Sequence, residues 1–187
     1  TKISDGVDNN ENQSALERLA EQQQKLGAET IYSTKQIAET HNVLAAAGKN
    51  VNEIFAQTPA IVRAAAAAHE DLAKVASAAT SGSTAFFGDI KARKLGAEEA
   101  IKLAQQQADA FAALGTATAV KSPGTFLGFG EYMAKAGGPL RETLPPNLRG
   151  NPLAEVDRLK EGAALYAIMR SKGVTDEEAG TATKTGL

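Results

Sequence analysis

Alanine constrains this chain more than any other residue, because it fills 37 of the 187 positions. It is the best helix former and buries little area, so a core built on it requires helices that lie close together. Aromatic residues make up only 5% of the chain, and tryptophan is absent. Since β-branched residues never alternate over more than a few positions, the sequence predicts no strand. We therefore expect an all-α fold, an alanine-rich bundle of several helices.

Charge and cysteine content exclude several classes of function. The formal net charge is −2, so the chain lacks the basic surface that nucleic-acid binding requires. The absence of cysteine excludes disulfides, thiolate metal sites and a cysteine nucleophile. No apolar run reaches the roughly 18 residues that span a bilayer. The apolar stretches 56–68 and 111–120 could enter a membrane only as an oligomer or after rearrangement, so a membrane-active, channel-forming module is one alternative function.

Helix boundaries are marked by local signals. Capping-box spacing, in which two residues satisfy each other's backbone N–H groups, occurs at Ser33 with Gln36, Asn50 with Glu53, and Thr175 with Glu178. Gly48 and Gly173 each follow an apolar-periodic run, so each is predicted to end a helix. Helical periodicity further predicts helices over residues 14–27, 97–114 and 126–136, and a last full helix from about residue 153 to Gly173.

Other signals predict interruptions. Pro59 is expected to break a helix after Thr58, because proline removes a backbone donor and disfavours a helical residue before it. Residues 81–84, Ser-Gly-Ser-Thr, are expected to form a flexible joint. Between residues 137 and 152, prolines and glycines predict a loop or insertion.

These interruptions predict the organisation of the chain. We expect residues 1–13 to be disordered, as the cut end of a larger chain. An N-terminal helical sub-bundle would follow over 14–80, and a C-terminal one over 85–187, ending early in a helix. At least five of seven large side chains should be mostly buried to hold the alanine-rich helices together. The seven are Phe55, Ile61, Leu72, Phe111, Tyr132, Leu159 and Tyr166.

The residues able to carry chemistry form no catalytic pattern. His41 and His69 lie far apart in the sequence, and His69-Glu70-Asp71 is better explained as a polar helix start than as a metal site, because adjacent helical positions point in different directions. The acidic pairs 98–99 and 177–178 fit first helical turns. The glycines at 124, 128 and 130 follow no predicted strand and precede no Gly-Lys-Ser/Thr, so a phosphate loop is not supported. We expect no catalytic, cofactor-binding or metal-ligating residue, and no enzyme.

One motif suggests a second alternative. Gly138-Pro139-Leu140-Arg141 is similar to the arginine-finger segment of bacterial secreted effectors that activate GTP hydrolysis by Rho-family proteins. An arginine supplied in trans can stabilise the charge of phosphoryl transfer. Those effectors also carry a downstream Gln-Trp-Gly segment, and this chain has no tryptophan. A Gly/Pro turn with a solvated Arg141 is therefore the preferred interpretation.

The order of several short segments resembles the core region of bacteriophage tail tape-measure proteins. In the first half the matching segments are residues 40–48 (THNVLAAAG), 52–54 (NEI), 58–62 (TPAIV), 65–68 with 71–73 (DLA), and 78–80 with 86–88 (FFG). In the second half they are 112–122, 128–139 (GFGEYMAKAGGP), 166–173 and 178–182 (EAGTA). The resemblance covers roughly residues 15–187. It departs at 140–151, which is longer and richer in proline, and at 89–110, which matches loosely.

The resemblance implies a mechanical function. Such proteins are long, mostly helical and lie in the lumen of the virion tail, where their length sets tail length. It implies tail-assembly chaperones, the tail-tube protein and baseplate or tail-tip proteins as partners, homo-oligomers in the virion, and a stay in the host cytoplasm during assembly. It also implies release ahead of the DNA at genome ejection, with membrane contact possible at that stage.

Overall fold

The computed structural model describes residues 5–88, 96–119 and 125–186. This part of the chain contains eight α-helices and no strand, which confirms the predicted all-α class. The helices are α1 (Asp5–Glu29), α2 (Thr34–Ala46), α3 (Val51–Ala68), α4 (Leu72–Phe87), α5 (Ala97–Ala119), α6 (Thr125–Glu142), α7 (Pro152–Ser171) and α8 (Asp176–Gly186).

The capping-box signals and the two terminal glycines are confirmed, whereas α1 continues past Gly27 and α5 past residue 114. Ser33 and Asn50 cap α2 and α3 with complete capping boxes. At the start of α8, the Thr175 N–H donates to Glu178 Oε2 (3.0 Å), and the Glu178 N–H donates to Thr175 Oγ1 (3.3 Å). Gly48 (φ +81°) and Gly173 (φ +82°) follow the ends of α2 and α7 in the left-handed conformation that favours glycine.

Pro59 does not break its helix, so that prediction is wrong. Helix α3 runs through it, because a neighbouring helix replaces the lost donor. Proline at this position removes the N–H that would bond to the Phe55 carbonyl. Gln22 of α1 instead donates its Nε2–H to the Phe55 carbonyl oxygen at 2.8 Å. The Thr58 hydroxyl also donates to the Ile54 carbonyl one turn back (2.7 Å).

The flexible joint predicted at residues 81–84 is wrong as well. Helix α4 continues through them to Phe87. Gly82 serves close packing here, since a Cβ atom at this position would lie 2.5 Å from the ring of Phe111. Side chains from both of the predicted sub-bundles join one hydrophobic cluster, in which Phe86 and Phe87 are also buried.

The predicted loop over residues 137–152 is shorter than expected. Helix α6 continues through Gly137, Gly138 and Pro139 to Glu142, so only residues 143–151 connect it to α7. Gly137 lies against the backbone of Phe86, where an added Cβ would be 2.9 Å from the Phe86 nitrogen. The packing against α4 therefore prevails over the local helix-breaking tendency.

Helix α1 also begins earlier than predicted, at Asp5 rather than Ser14. Most of residues 1–13, which we expected to be disordered, are therefore helical; residues 1–4 lie outside the described residues. Helix α1 therefore includes most of the polar N-terminal segment and continues past Gly27 to Glu29.

Helices α4 and α6 form the largest helix–helix interface of the described residues. Gly130 lies against Ala78, and Gly137 lies against Ala85 and Phe86. The contacts advance in the same direction along both chains, so the two helices are parallel. Small residues at both levels let the backbones approach closely, as the alanine-rich composition predicts.

Large side chains fill the space around this helix pair. Six of the seven predicted core residues are buried, and Phe55 is half-buried, which confirms that prediction. Ring contacts connect five of the aromatic residues, with centroids 5.0–6.4 Å apart. These are Phe111, Phe126, Phe129, Tyr132 and Tyr166.

Candidate functional site

Each residue of His69-Glu70-Asp71 acts at a different helix end: His69 at the end of α3, Glu70 at the start of α6 and Asp71 at the start of α4. His69 ends α3 in the left-handed conformation (φ 55°), the only non-glycine described residue with positive φ. Asp71 caps α4 by accepting a hydrogen bond from the Lys74 N–H at 2.9 Å. In the part of the chain that the structure describes, no group of three His, Asp or Glu side chains could hold a metal ion. The expected polar helix start is present at Asp71, and the other two residues belong to other helix ends.

Glu70 caps a helix that is distant in sequence. Its carboxylate accepts the backbone N–H groups of Phe126 and Leu127, both at 3.2 Å, at the start of α6. The Tyr32 hydroxyl donates to the Glu70 carbonyl oxygen (3.0 Å). Burial raises the pKa of Glu70, and the two backbone hydrogen bonds act in the opposite direction. One residue thus connects the α1–α2 turn, the α3–α4 turn and α6.

His41 is buried at the interface of α1 and α2. Only 5% of the residue is exposed, and its Nδ1 lies 3.0 Å from Gln23 Nε2. Its Nε2 atom has no hydrogen-bond partner among the described residues. Burial lowers the pKa of His41 to about 4, so the imidazole is neutral at physiological pH. No carboxylate or hydroxyl that would make it a catalytic base is hydrogen-bonded to it in the described part of the chain.

Arg141 does not lie in a solvated turn, so that interpretation is wrong. It belongs to α6, and its Nε lies 3.3 Å from Oε1 of Glu155, a residue with no exposed surface. The same Oε1 accepts the Gly150 N–H at 2.9 Å. The guanidinium also lies against Gly88, where a Cβ atom would be 3.1 Å from Nη1. Arg141 thus connects the ends of α4 and α6 to the start of α7.

The acidic pairs have structural contacts too. Glu99 accepts the Gly96 N–H at the start of α5 (3.4 Å). Glu177 forms a salt bridge with Lys135 at 2.9 Å, joining α8 to α6. Hydrogen bonds from Thr175 lower the pKa of Glu178, as expected for a capping carboxylate. These contacts stabilise helix ends and pairs without bringing two carboxylates together.

The glycines considered for a phosphate loop have different positions. Gly128 and Gly130 lie inside α6, and Gly124 lies outside the described residues. A Cβ atom at Gly128 would lie 2.6 Å from the Tyr166 hydroxyl. These two glycines permit close packing, so they do not form a phosphate-binding loop.

The sequence did not predict a set of polar contacts that connects α8 to α6 and α7. The Tyr166 hydroxyl donates to Asp176 Oδ1 (2.6 Å), and Arg170 Nε lies 3.1 Å from the same oxygen. Burial raises the pKa of Tyr166, and the hydrogen bond to Asp176 acts in the same direction. Thr183 donates to the Tyr132 hydroxyl at 3.3 Å. The available signal was a tyrosine on an apolar helix face, because a buried hydroxyl usually requires a partner.

A small, partly open pocket between α3, α4 and α5 is a further candidate. Gln57, Thr80 and Gln107 line it, and Gln107 Nε2 is buried without a partner among the described residues. Its volume is about 20 Å³. Since a single water requires roughly 10–15 Å³ by this kind of measure, an organic substrate does not fit.

Fold and polar contacts together define a helical bundle in which polar groups such as Glu70, Arg141 and Asp176 cap helices or connect them to one another. Comparison with protein-family models, curated proteins and solved structures finds no match to this chain. Among the described residues, no helix has the length and apolar character needed to cross a membrane.

Proposed function

We propose that this chain is a structural segment of a bacteriophage or prophage tail tape-measure protein. The observation that carries the proposal is the ordered set of resembling segments, three of which lie at helix ends. The segment 40–48 ends at the Gly48 that terminates α2, and the segment 166–173 ends at the Gly173 that terminates α7. The segment 178–182 lies in the first turns of α8.

The packing suits a mechanical role. Hydrophobic stabilisation scales with buried apolar area, roughly 25 cal/mol per Å², and alanine and glycine contribute little of it. At the α4–α6 interface Gly130 contacts Ala78, and Gly137 contacts Ala85 and Phe86. Proteins open locally as well as globally, and a helix pair that meets through small residues has little apolar contact to lose when it opens. That property fits a protein that must pass down a narrow tail tube ahead of the DNA.

The proposed partners follow from this role. In the virion the segment would lie in the tail lumen as a homo-oligomer, in contact with the tail-tube protein and with baseplate or tail-tip proteins. In the host cytoplasm it would first be coated by tail-assembly chaperones. No enzymatic activity or cofactor is proposed for it.

No observation favours the GTPase-activating alternative. To reach a GTPase, Arg141 would have to leave Glu155, a fully buried carboxylate that would keep the Gly150 N–H but lose its ion-pair partner. Removing the cation from a buried ion pair is destabilising. A Rho-family protein that hydrolyses GTP faster with this chain, and not with Arg141→Ala, would nevertheless contradict the proposal.

The membrane-active alternative has a direct test of its own. The chain would be mixed with anionic liposomes loaded with dye. We expect no leakage, because neither apolar stretch is long enough to span a bilayer alone. Leakage at micromolar protein would favour a channel-forming module instead.

A fractionation experiment tests the tape-measure proposal. Purified virions would be separated into heads and tails, and the chain would be detected by mass spectrometry before and after induced DNA ejection. We expect it in intact tails and not in heads, with loss from the tails after ejection. Detection in heads alone, or no detection in any virion fraction, would contradict the proposal.

A further inference from the structure

A surface groove runs between α1, α3 and α5. It encloses about 700 Å³, and half-buried apolar side chains form its floor. These are Leu26 of α1, Phe55, Ala56 and Pro59 of α3, and Ile101 of α5. An apolar floor of this size, open along one side, can accept a helix.

The charges on the α1 rim identify the occupant. Arg18, Glu21, Lys25 and Glu29 line the groove, are exposed, and alternate in sign. In the described part of the chain none of the four forms a salt bridge. Arg18 instead lies over the Phe55 ring, 4.8 Å from its centroid.

This pattern is complementary to itself in one orientation. If a second α1 lies antiparallel, Arg18 faces Glu29 of the other copy, and Glu21 faces its Lys25. Both pairs are centred at or next to Gln23, so one two-fold axis satisfies all of them. A parallel arrangement in register would place each charge against its own like charge, which is unfavourable.

We propose that a second copy of this chain occupies the groove, with the two α1 helices antiparallel about a two-fold axis. Each α1 then lies against the apolar floor of the other copy, and the charged side chains of the two α1 rims pair across the axis. The contact is isologous, the commonest arrangement for homodimers. The proposed function already includes a homo-oligomer; this inference specifies one interface, and the charge pattern that carries it does not depend on that function.

Charge reversal tests the orientation, with the assembly state measured by analytical ultracentrifugation. The unaltered chain should dimerise. Lys25→Glu should raise the dimer dissociation constant by at least roughly tenfold, because it places like charges opposite each other at two symmetric positions. The swap Glu21→Lys/Lys25→Glu should restore dimerisation. Glu17→Lys, an exposed charge change on the same helix outside the groove lining, should leave it unchanged.

Crosslinking tests the position of the axis independently. The chain has no cysteine, so single cysteines can be introduced without background. Lys25→Cys lies close to the proposed axis and should form an intermolecular disulfide under mild oxidation. The neighbouring Gln24→Cys, exposed but outside the groove lining, should crosslink much less. Circular dichroism would establish that each variant is folded. A monomer at every concentration, or a dimer that Lys25→Glu leaves intact, would overturn the proposal.

Discussion

Among single residues, His41 is one whose environment shifts its pKa within the pH range that unfolding experiments can reach. Its pKa falls from 6.5 to about 4 on burial, so the folded chain holds the neutral imidazole. Between these two pH values an unfolded histidine binds a proton that the folded one does not. Because the unfolded state binds more protons there, the free energy of unfolding falls as the pH falls through that window.

Urea unfolding at pH 7.5 and pH 5 would measure this effect. We expect His41 to account for a loss of about 2 kcal/mol between the two conditions, from the difference in proton binding. His41→Gln should lose that part of the pH dependence, even if it is less stable at both pH values. His69→Gln, at the exposed histidine, is the matched control and should keep it. Equal pH dependence in all three chains would contradict the assignment.

Glu70 illustrates a second residue-scale effect, a helix cap supplied from a distant segment. Glu70→Ala removes the acceptor for two N–H groups at the start of α6. We expect a cost of about 1–2 kcal/mol, the usual range for the loss of a cap. Thermal unfolding would measure it against Glu39→Ala, which removes an exposed carboxylate 4.0 Å from Lys35. Costs that do not differ between the two variants would show that the cap does not stabilise α6.

At the scale of helices, Pro59 and Gln22 form a coupled pair. Gln22→Ala leaves the Phe55 carbonyl without its donor, which should cost about 1 kcal/mol. In a Pro59→Ala background, the restored N–H of residue 59 can bond to that carbonyl within α3, so Gln22→Ala should cost less. A double-mutant cycle of urea unfolding measures this coupling. Additive costs would mean that Gln22 does not replace the helical donor.

Two adjacent glycines test the parallel packing of α4 and α6. Gly137→Ala would place a Cβ 2.9 Å from the Phe86 backbone nitrogen, whereas the nearest atom at Gly138 is the Ala85 oxygen at 3.9 Å. Gly137→Ala should therefore destabilise the fold by about 2 kcal/mol or more, because backbone cannot move aside cheaply. Gly138→Ala should change stability by less than about 1 kcal/mol, since higher helix propensity and crowding before Pro139 oppose each other. Calorimetry on both variants distinguishes them, and equal effects would refute the close approach.

At the scale of helices, features set by local interactions could be predicted from the sequence, and features set by distant contacts could not. Helix ends such as Ser33, Gly48 and Gly173 were predictable because a cap is a local interaction, complete within a few residues. Pro59 and residues 81–84 were misjudged because their helices are maintained by contacts with distant segments. The contacts of Glu70 and Arg141 join residues that only the folded chain brings together. No local sequence pattern predicts these contacts. They show that Glu70 and Arg141 connect helices, which their positions in the sequence alone do not reveal.

For the whole molecule, the important feature is a continuous core built from many small contacts. Side chains from α1 to α8 join one hydrophobic cluster, although alanine and glycine form much of the surface between helices. Its polar residues act mainly at helix ends and between helices. The proposal that it lies in a tail rests on the ordered resembling segments, and this packing is compatible with it.

Tail length in virions carrying altered genes tests the tape-measure proposal most directly. In-frame deletions would be made in the full-length protein outside this segment, and tails would be measured by electron microscopy. A helix rises about 1.5 Å per residue, so removal of about 100 helical residues should shorten the tail by about 150 Å. Deletions of increasing size should shorten it in proportion. Tails of unchanged length across the series would contradict the proposal.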